Sequence, residues 1–239
     1  MDPRRIASLH AMGFPAWARR PGSVLPGAPA ELRDAAPAAG MPEVADTARE
    51  SDVARLDWDA LEDRASACVL CPLHAGRSRT VFGVGNRKAE WLVIGEAPGA
   101  EEDRRGEPFV GRAGKLLDAM LAAAGHARSD VYIANVVKCR PPENRDPRPE
   151  EAACCAPYLD RQIALLQPQI ILAVGRVAAQ RLLQSDAPVG RLRGKIHRHE
   201  PSGTPLVVTW HPAYLLRRPE AKADAWRDLV LAMSAAEGR

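Results

Sequence analysis

Four short apolar runs recur after residue 90, each bounded by glycine, proline or charge: EWLVIG, VYIANVV, QIILAVG and PLVVTW. They are rich in Val and Ile and short, so each predicts a buried strand. Between them lie stretches that predict helices over Arg112 to Ala124, Pro149 to Leu166 and Arg176 to Gln184, with a last one over Pro219 to Ala236. Strands alternating with helices predict an α/β fold whose parallel sheet is covered on both faces. Ligands in such sheets bind beyond the carboxyl ends of the strands, so those ends become the candidate functional positions.

The first fifty residues break this pattern. Pro, Ala and Gly dominate from Pro21 to Glu50, with too few large apolar side chains to offset the entropy of ordering, which predicts a flexible linker. Ahead of it, RRIASLHAMGFPAWARR spaces Ile6, Leu9, Met12, Phe14 and Trp17 in a weakly amphipathic way, as a short docking helix over 3–18 for a partner protein or the chain's own core would. The expected division is an extension over 1–52 and one domain over 53–239.

Composition adds little. The formal charge of +3 on 239 residues neither demands nor excludes nucleic acid, although Arg outnumbers Lys, which suits phosphate and carboxylate forks. No apolar stretch approaches a membrane span and the amino terminus lacks a secretion signal, so the expected location is cytoplasmic, at the nucleoid if DNA is the substrate. Five cysteines are an odd number in a chain long enough not to need staples, which favours metal or redox chemistry over disulfides.

The strand ends converge. The first strand runs into GEAPGAEED, a glycine–proline turn that carries Gly95, Glu96, Ala97 and Gly99 ahead of three consecutive acids. The second ends near Asn135, Lys138 and Cys139, the third in Gly175, and the fourth in TWHPAYLL with His211. An acid, an amide and an imidazole at one sheet edge make a site. Phe109 in GEPFVG adds a flat apolar face, the turn adds backbone N–H groups, and Asn135 offers a donor and an acceptor. A planar heterocycle with carbonyl and imide groups satisfies all three. Glu96 is placed to position or activate water and His211 to donate to charge on a leaving group, which suggests hydrolysis of a base-to-sugar bond.

The cysteines carry a second signal. Cys68 and Cys71 form CVLC, and Cys139 is separated from Cys154 and Cys155 by a proline-rich loop, a pattern that suits either zinc or an iron–sulfur cluster. On the helix from Pro149, Cys155 joins an apolar stripe with Ala152, Leu159, Ile163 and Leu166, whereas Cys154 shares its face with Glu151 and Arg161, so Cys155 is expected to point inward. Pro157 is expected to kink or shorten that helix.

The segments CVLC, GEAPGAEEDRRGEPFVGRAGKLLD, VYIANVVKCRPPENRDPRPEEAACCAPYL and TWHPAYLL together resemble the iron–sulfur-containing family 4 uracil-DNA glycosylases of the uracil-DNA glycosylase superfamily, over about Ala65 to Pro219. The resemblance implies a three-layer fold with a central four-stranded parallel sheet flanked by helices. It implies a monofunctional enzyme that flips uracil out of single- or double-stranded DNA, hydrolyses the N-glycosidic bond and leaves an abasic site for base excision repair. By position, Glu96 is the water-positioning acid, Asn135 the reader of the base edge, Phe109 the stacking ring and His211 the stabiliser of the uracil anion. Gly95, Ala97 and Gly99 complete the substrate turn. Ala97 stands where the better-known family of these enzymes has a catalytic acid, which leaves water activation to Glu96. Cys68, Cys71, Cys139 and Cys155 match the ligands of a [4Fe–4S] cluster, and Cys154 departs from the pattern. Leu215 falls where a wedge side chain enters the duplex, with Leu216 and Tyr214 beside it. Arg140, Arg145 and Arg193 are expected on DNA phosphates, with the cluster holding the loop that carries the first two. A monomer is the default. The rival reading is a DNA-binding or redox-sensing iron–sulfur protein without excision.

Overall fold

The computed structural model describes residues 52–238, so the linker and the docking helix expected over 3–18 lie outside the described residues. The four predicted strands form: β2 (Trp91–Gly95), β3 (Tyr132–Asn135), β4 (Ile170–Val174) and β6 (Pro205–Thr209). They lie side by side and parallel in the order β3-β2-β4-β6. Two short strands absent from the sequence reading extend the sheet to six. These are β1 (Val84–Gly85), antiparallel to β3, and β5 (Ile196–Arg198), antiparallel to β6. Neither has an apolar run to announce it, because each covers an edge rather than filling the core.

The eight α-helices among the described residues are α1 (Trp58–Ser66), α2 (Ala100–Arg105), α3 (Arg112–Ala123), α4 (Pro149–Leu166), α5 (Arg176–Leu183), α6 (Val189–Leu192), α7 (Pro212–Arg217) and α8 (Lys222–Ala236). Alternate strand residues feed two cores. Leu92, Ile94, Ile171 and Ala173 pack on one face against α4 and α5, while Trp91, Val93, Leu172 and Val174 pack on the other against α3 and α8. Because both faces are dry, the strands read as continuous apolar runs instead of alternating ones. Helix α4 runs unbroken through Pro157, so the expected shortening does not occur. Its buried Leu159, Ile163 and Leu166 hold it on the sheet, and this packing outweighs the missing N–H of one proline.

Register places the functional turns. Gly95 pairs with Asn135 and Val174 with Thr209, so four parallel strands end at nearly one level. The chain goes from β2 to β3 on one side and then to β4 on the other. The crevice between β2 and β4 is therefore the topological switch point at which such sheets bind ligands.

Candidate active site and cysteine centre

Glu96, Ala97, Gly99, Phe109, Asn135 and His211 line one cavity of about 670 Å³ over that crevice. Gly95, the buried last residue of β2, lies just behind Glu96. A Cβ there would stand 2.5 Å from Asn135 Oδ1 and 2.6 Å from the Phe109 ring, so glycine is what lets the amide and the ring meet above the end of β2. Phe109 itself adopts φ +54, a left-handed backbone uncommon for a bulky residue.

The three acids that follow the turn divide their tasks. The Glu102 carboxylate accepts from the N–H of Gly99 at 3.1 Å and from those of Val110 and Gly111 at 3.0 and 3.1 Å, which pins the loop carrying Phe109 to the start of α2. Asp103 is buried and accepts from Ser78 N–H. Glu101 pairs with Arg104 on the surface. Two of these three acids are thus braces and the third is a surface residue, which leaves Glu96, ahead of the turn, as the acid at the end of the central strand.

Asn135 is 2 % exposed, and its Oδ1 has no hydrogen-bond partner. A buried unpaired acceptor is costly in a folded protein and marks a place where a ligand donor belongs. Below it, the buried Lys138 ammonium donates to the Asn135 carbonyl at 3.0 Å and to Gln162 Oε1 at 2.6 Å, and Gln162 donates in turn to the Phe82 carbonyl. Burial pushes Lys138 down to about 8. This network fixes the backbone from which the Asn135 side chain projects.

His211 is the N-cap of α7, and its Nδ1 accepts the N–H of Ala213 at 3.1 Å. With Nδ1 as acceptor, the proton of the neutral ring sits on Nε2. Burial, reinforced by the charge of Arg217 and opposed by Glu102, pushes the imidazole down to about 4. The ring is therefore neutral near pH 7 and has one N–H to donate. Gly175, at φ +96, lets it approach, since a Cβ there would lie 3.0 Å from His211 Cβ. The Phe109 and His211 rings stand 5.6 Å apart and form one continuous wall.

Burial pushes the Glu96 carboxyl up to about 7, and Asp146 adds to the rise through its negative charge and a shared hydrogen bond, while Arg176 opposes it. Sequence reasoning missed Asp146 and Arg176, and also Asn144, Trp210 and Arg217, which line the same cavity. The one available signal was the position of Asn144 and Asp146 in PPENRDP, a proline-stiffened loop just beyond a strand end.

Cys68, Cys71, Cys139 and Cys155 line a second, small hollow on the other side of Lys138, and Cys154 lines it too. Cys155 is buried and Cys154 half-buried, so the inward direction expected for Cys155 is observed, but Cys154 is not turned away. Glu151, expected to share a face with Cys154, is itself buried. Arg77 Nη1 donates to Cys139 Sγ at 3.1 Å and to the Cys68 carbonyl at 2.8 Å, and Lys138 N–H donates to Cys155 Sγ at 3.3 Å. Five soft sulfur donors, a guanidinium to balance thiolate charge and N–H groups aimed at sulfur fit a metal–sulfur group chemically. Among the described residues no three His, Cys, Asp or Glu side chains converge tightly enough to hold a single ion.

Three expected DNA contacts are corrected. Leu215 is 0 % exposed, because the first turn of α7 directs it into the core beside α3, whereas Leu216 is 38 % exposed. Arg193 is not free for phosphate, since its Nε and Nη2 each bond the buried Asp228 at 3.0 Å and Nη2 also donates to the Asp224 carbonyl. Arg145 donates to both oxygens of the buried Glu151, at 2.8 and 2.6 Å, and holds that carboxylate below its usual range. Arg140 is half-buried and bonds Asn144 Oδ1 at 2.7 Å.

A family profile described as the Uracil DNA glycosylase superfamily matches residues 82–231. The chain is 46 % identical over 164 residues to the type-4 uracil-DNA glycosylase of Archaeoglobus fulgidus, which covers 66 % of this chain and 82 % of that protein. It is 41 % identical over 182 residues to the type-4 enzyme of Pyrobaculum aerophilum (74 % and 93 % covered) and 43 % identical over 174 residues to that of Thermotoga maritima (72 % and 88 %). With a parallel sheet whose switch point carries Glu96, Asn135 and His211, and with relatives matched over most of their length, the chain belongs to the uracil-DNA glycosylase superfamily, among its type-4 members.

Proposed function

We propose that this chain hydrolyses the N-glycosidic bond of uracil flipped out of DNA, with Asn135 reading the base, Glu96 handling water and His211 stabilising the leaving group. The observation that carries the reading is the unpartnered, buried Oδ1 of Asn135 beside the Phe109 ring. An imide N–H supplies the donor this oxygen lacks, and the ring supplies the stacking face. As the C1′–N1 bond breaks, its electron pair passes to the uracil ring and spreads onto O2 and O4. The neutral imidazole offers its Nε2–H to that charge, which favours the transition state over the substrate. Water oxygen bonds to C1′ and its proton passes to the ionised Glu96 carboxylate.

Cys68, Cys71, Cys139 and Cys155 would hold a [4Fe–4S] cluster. When bound, such a cluster cross-links α1's exit, the end of β3 and α4, and it supplies anchoring rather than a step of the hydrolysis. Cys139 and Cys155, as ligands of such a cluster, would anchor the two ends of the loop that carries Asn144 and Asp146. Leu216, exposed next to Arg217 at the mouth of the cavity, replaces Leu215 as the side chain to enter the duplex. Arg217, an exposed cation at that mouth, replaces Arg145 and Arg193 as a phosphate contact.

The test is an oligonucleotide with one uracil, incubated with anaerobically purified protein and treated with alkali. A strand break that requires both the uracil and Glu96 is expected. A break retained in full by Glu96→Gln moves water activation to another group, and no break from cluster-loaded protein refutes the catalytic reading.

A further inference from the structure

Three separate strand ends bring charged groups to one corner of the cavity. Glu96 follows β2, Asp146 arrives from the loop after β3, and Arg176 opens α5 after β4. Asp146 shares a hydrogen bond with Glu96 and forms an ion pair with Arg176. Two carboxyl groups can share a hydrogen bond only when one proton lies between them. Asp146 is itself held in place, because its carbonyl accepts from Arg145 Nη1 at 2.9 Å and Arg145 is anchored on the buried Glu151. The brace that removes Arg145 from DNA binding thus positions the loop on which Asp146 sits.

We propose that Asp146 and Arg176 are positioning residues for the hydrolytic step, Asp146 by receiving a hydrogen bond from protonated Glu96 and Arg176 by holding Asp146 at that distance. The proposal rests on Glu96 as the group that takes the water proton. In the forward reaction the ionised Glu96 carboxylate accepts a proton from water as oxygen bonds to C1′, and the new O–H is donated to the Asp146 carboxylate, so no further acid or base is needed to hold it. The negative charge of Asp146 makes Glu96 a stronger base, and Arg176 limits that effect so that a substantial share of Glu96, about half at pH 7, is still ionised to take the proton. The other charged or titratable groups on this cavity are Glu102 from α2, His211 at the start of α7, Tyr214 within it and Arg217 at its end. Glu102 is committed to three backbone N–H groups and His211 to Ala213, which leaves the Asp146–Arg176 pair as the adjustable element beside Glu96.

The experiment is a pH titration of the Glu side-chain carboxyl carbons by NMR in cluster-loaded protein, with Glu96→Gln to assign the resonance, alongside single-turnover excision from pH 5 to 9. In Asp146→Asn the Glu96 midpoint and the acid limb of the rate profile are expected to move down by about one pH unit. In Arg176→Gln both are expected to move up. Opposite shifts are a signature that loss of structure cannot imitate, and Asp146→Glu should restore the wild-type midpoint. Midpoints that stay put, or that move the same way in both variants, overturn the inference. If Glu96→Gln excises uracil at the wild-type rate, the catalytic reading of Glu96 fails instead, while the carboxyl titration still decides whether Asp146 and Arg176 set its ionisation.

Discussion

Replacing Gly95 by Ala adds one methyl group at the end of β2, in extended backbone that alanine adopts without strain. The new carbon would lie 2.5 Å from Asn135 Oδ1 and 2.6 Å from Phe109 Cζ, where ordinary contacts begin at 3.4 Å. Each group must therefore retreat by roughly 1 Å. Neither has an easy route. Asn135 is held by its pairing with Gly95 across the sheet and by Lys138 on its carbonyl, and the Phe109 backbone lies against Gly114 of α3, where even a Cβ would come within 1.8 Å of its carbonyl oxygen. A displacement of this size at a group that orients substrate costs about 100-fold in rate. Overpacking two buried side chains costs about 1–3 kcal/mol of stability. The assay is single-turnover excision from a uracil-containing duplex under enzyme excess, with thermal unfolding measured in parallel. The expected outcome is a loss of about two orders of magnitude in rate with a melting temperature lowered by about 2–12 °C. A Gly95→Ala enzyme within about threefold of wild type would falsify the claim that Asn135 and Phe109 together form the base site.

Other substitutions separate the remaining roles. His211→Ala removes the Nε2–H donor and should slow excision about 100- to 1000-fold, and loss of the α7 cap should cost a further ~1 kcal/mol in unfolding free energy; equal rates with and without the imidazole would exclude it from transition-state stabilisation. Because the Glu96 carboxyl sits at about 7 and must be ionised to take the water proton, kcat/KM should rise with pH through about 7, and His211, at about 4, should add no second limb between pH 5 and 8. Cys155→Ser should abolish the visible absorbance and iron content of anaerobically purified protein whereas Cys154→Ser retains both, and the reverse result would assign Cys154 as the fourth ligand. Arg193→Ala leaves the buried Asp228 without its bidentate partner and should destabilise the fold by about 3 kcal/mol in urea unfolding, with the salt dependence of DNA affinity unchanged.

The residues legible in the chain are those whose roles depend on local pattern. Val- and Ile-rich runs bounded by glycine define four parallel strands, and the rule that such sheets bind ligands beyond their carboxyl ends singles out Glu96, Asn135 and His211 without any long-range knowledge. The pairing of Gly95 with Asn135 then brings those ends to one level, as a parallel sheet requires. The strand edges escaped notice for the same reason, since β1 and β5 bury little and leave no apolar run.

Tertiary structure alone decided which charges were available. Arg193 and Asp228 are 35 residues apart, and Arg176 and Asp146 are 30 apart. No local pattern reveals that the first pair is buried or that the second stands beside Glu96. A charged side chain reads the same in sequence whether it faces phosphate or a carboxylate across the fold, because its partner is chosen by topology and burial rather than by its neighbours in the chain. Leu215 and Leu216 make the same point for apolar residues. Adjacent on α7, they differ by the 100° turn of a helix, and only packing against α3 determines which of them is core and which is exposed.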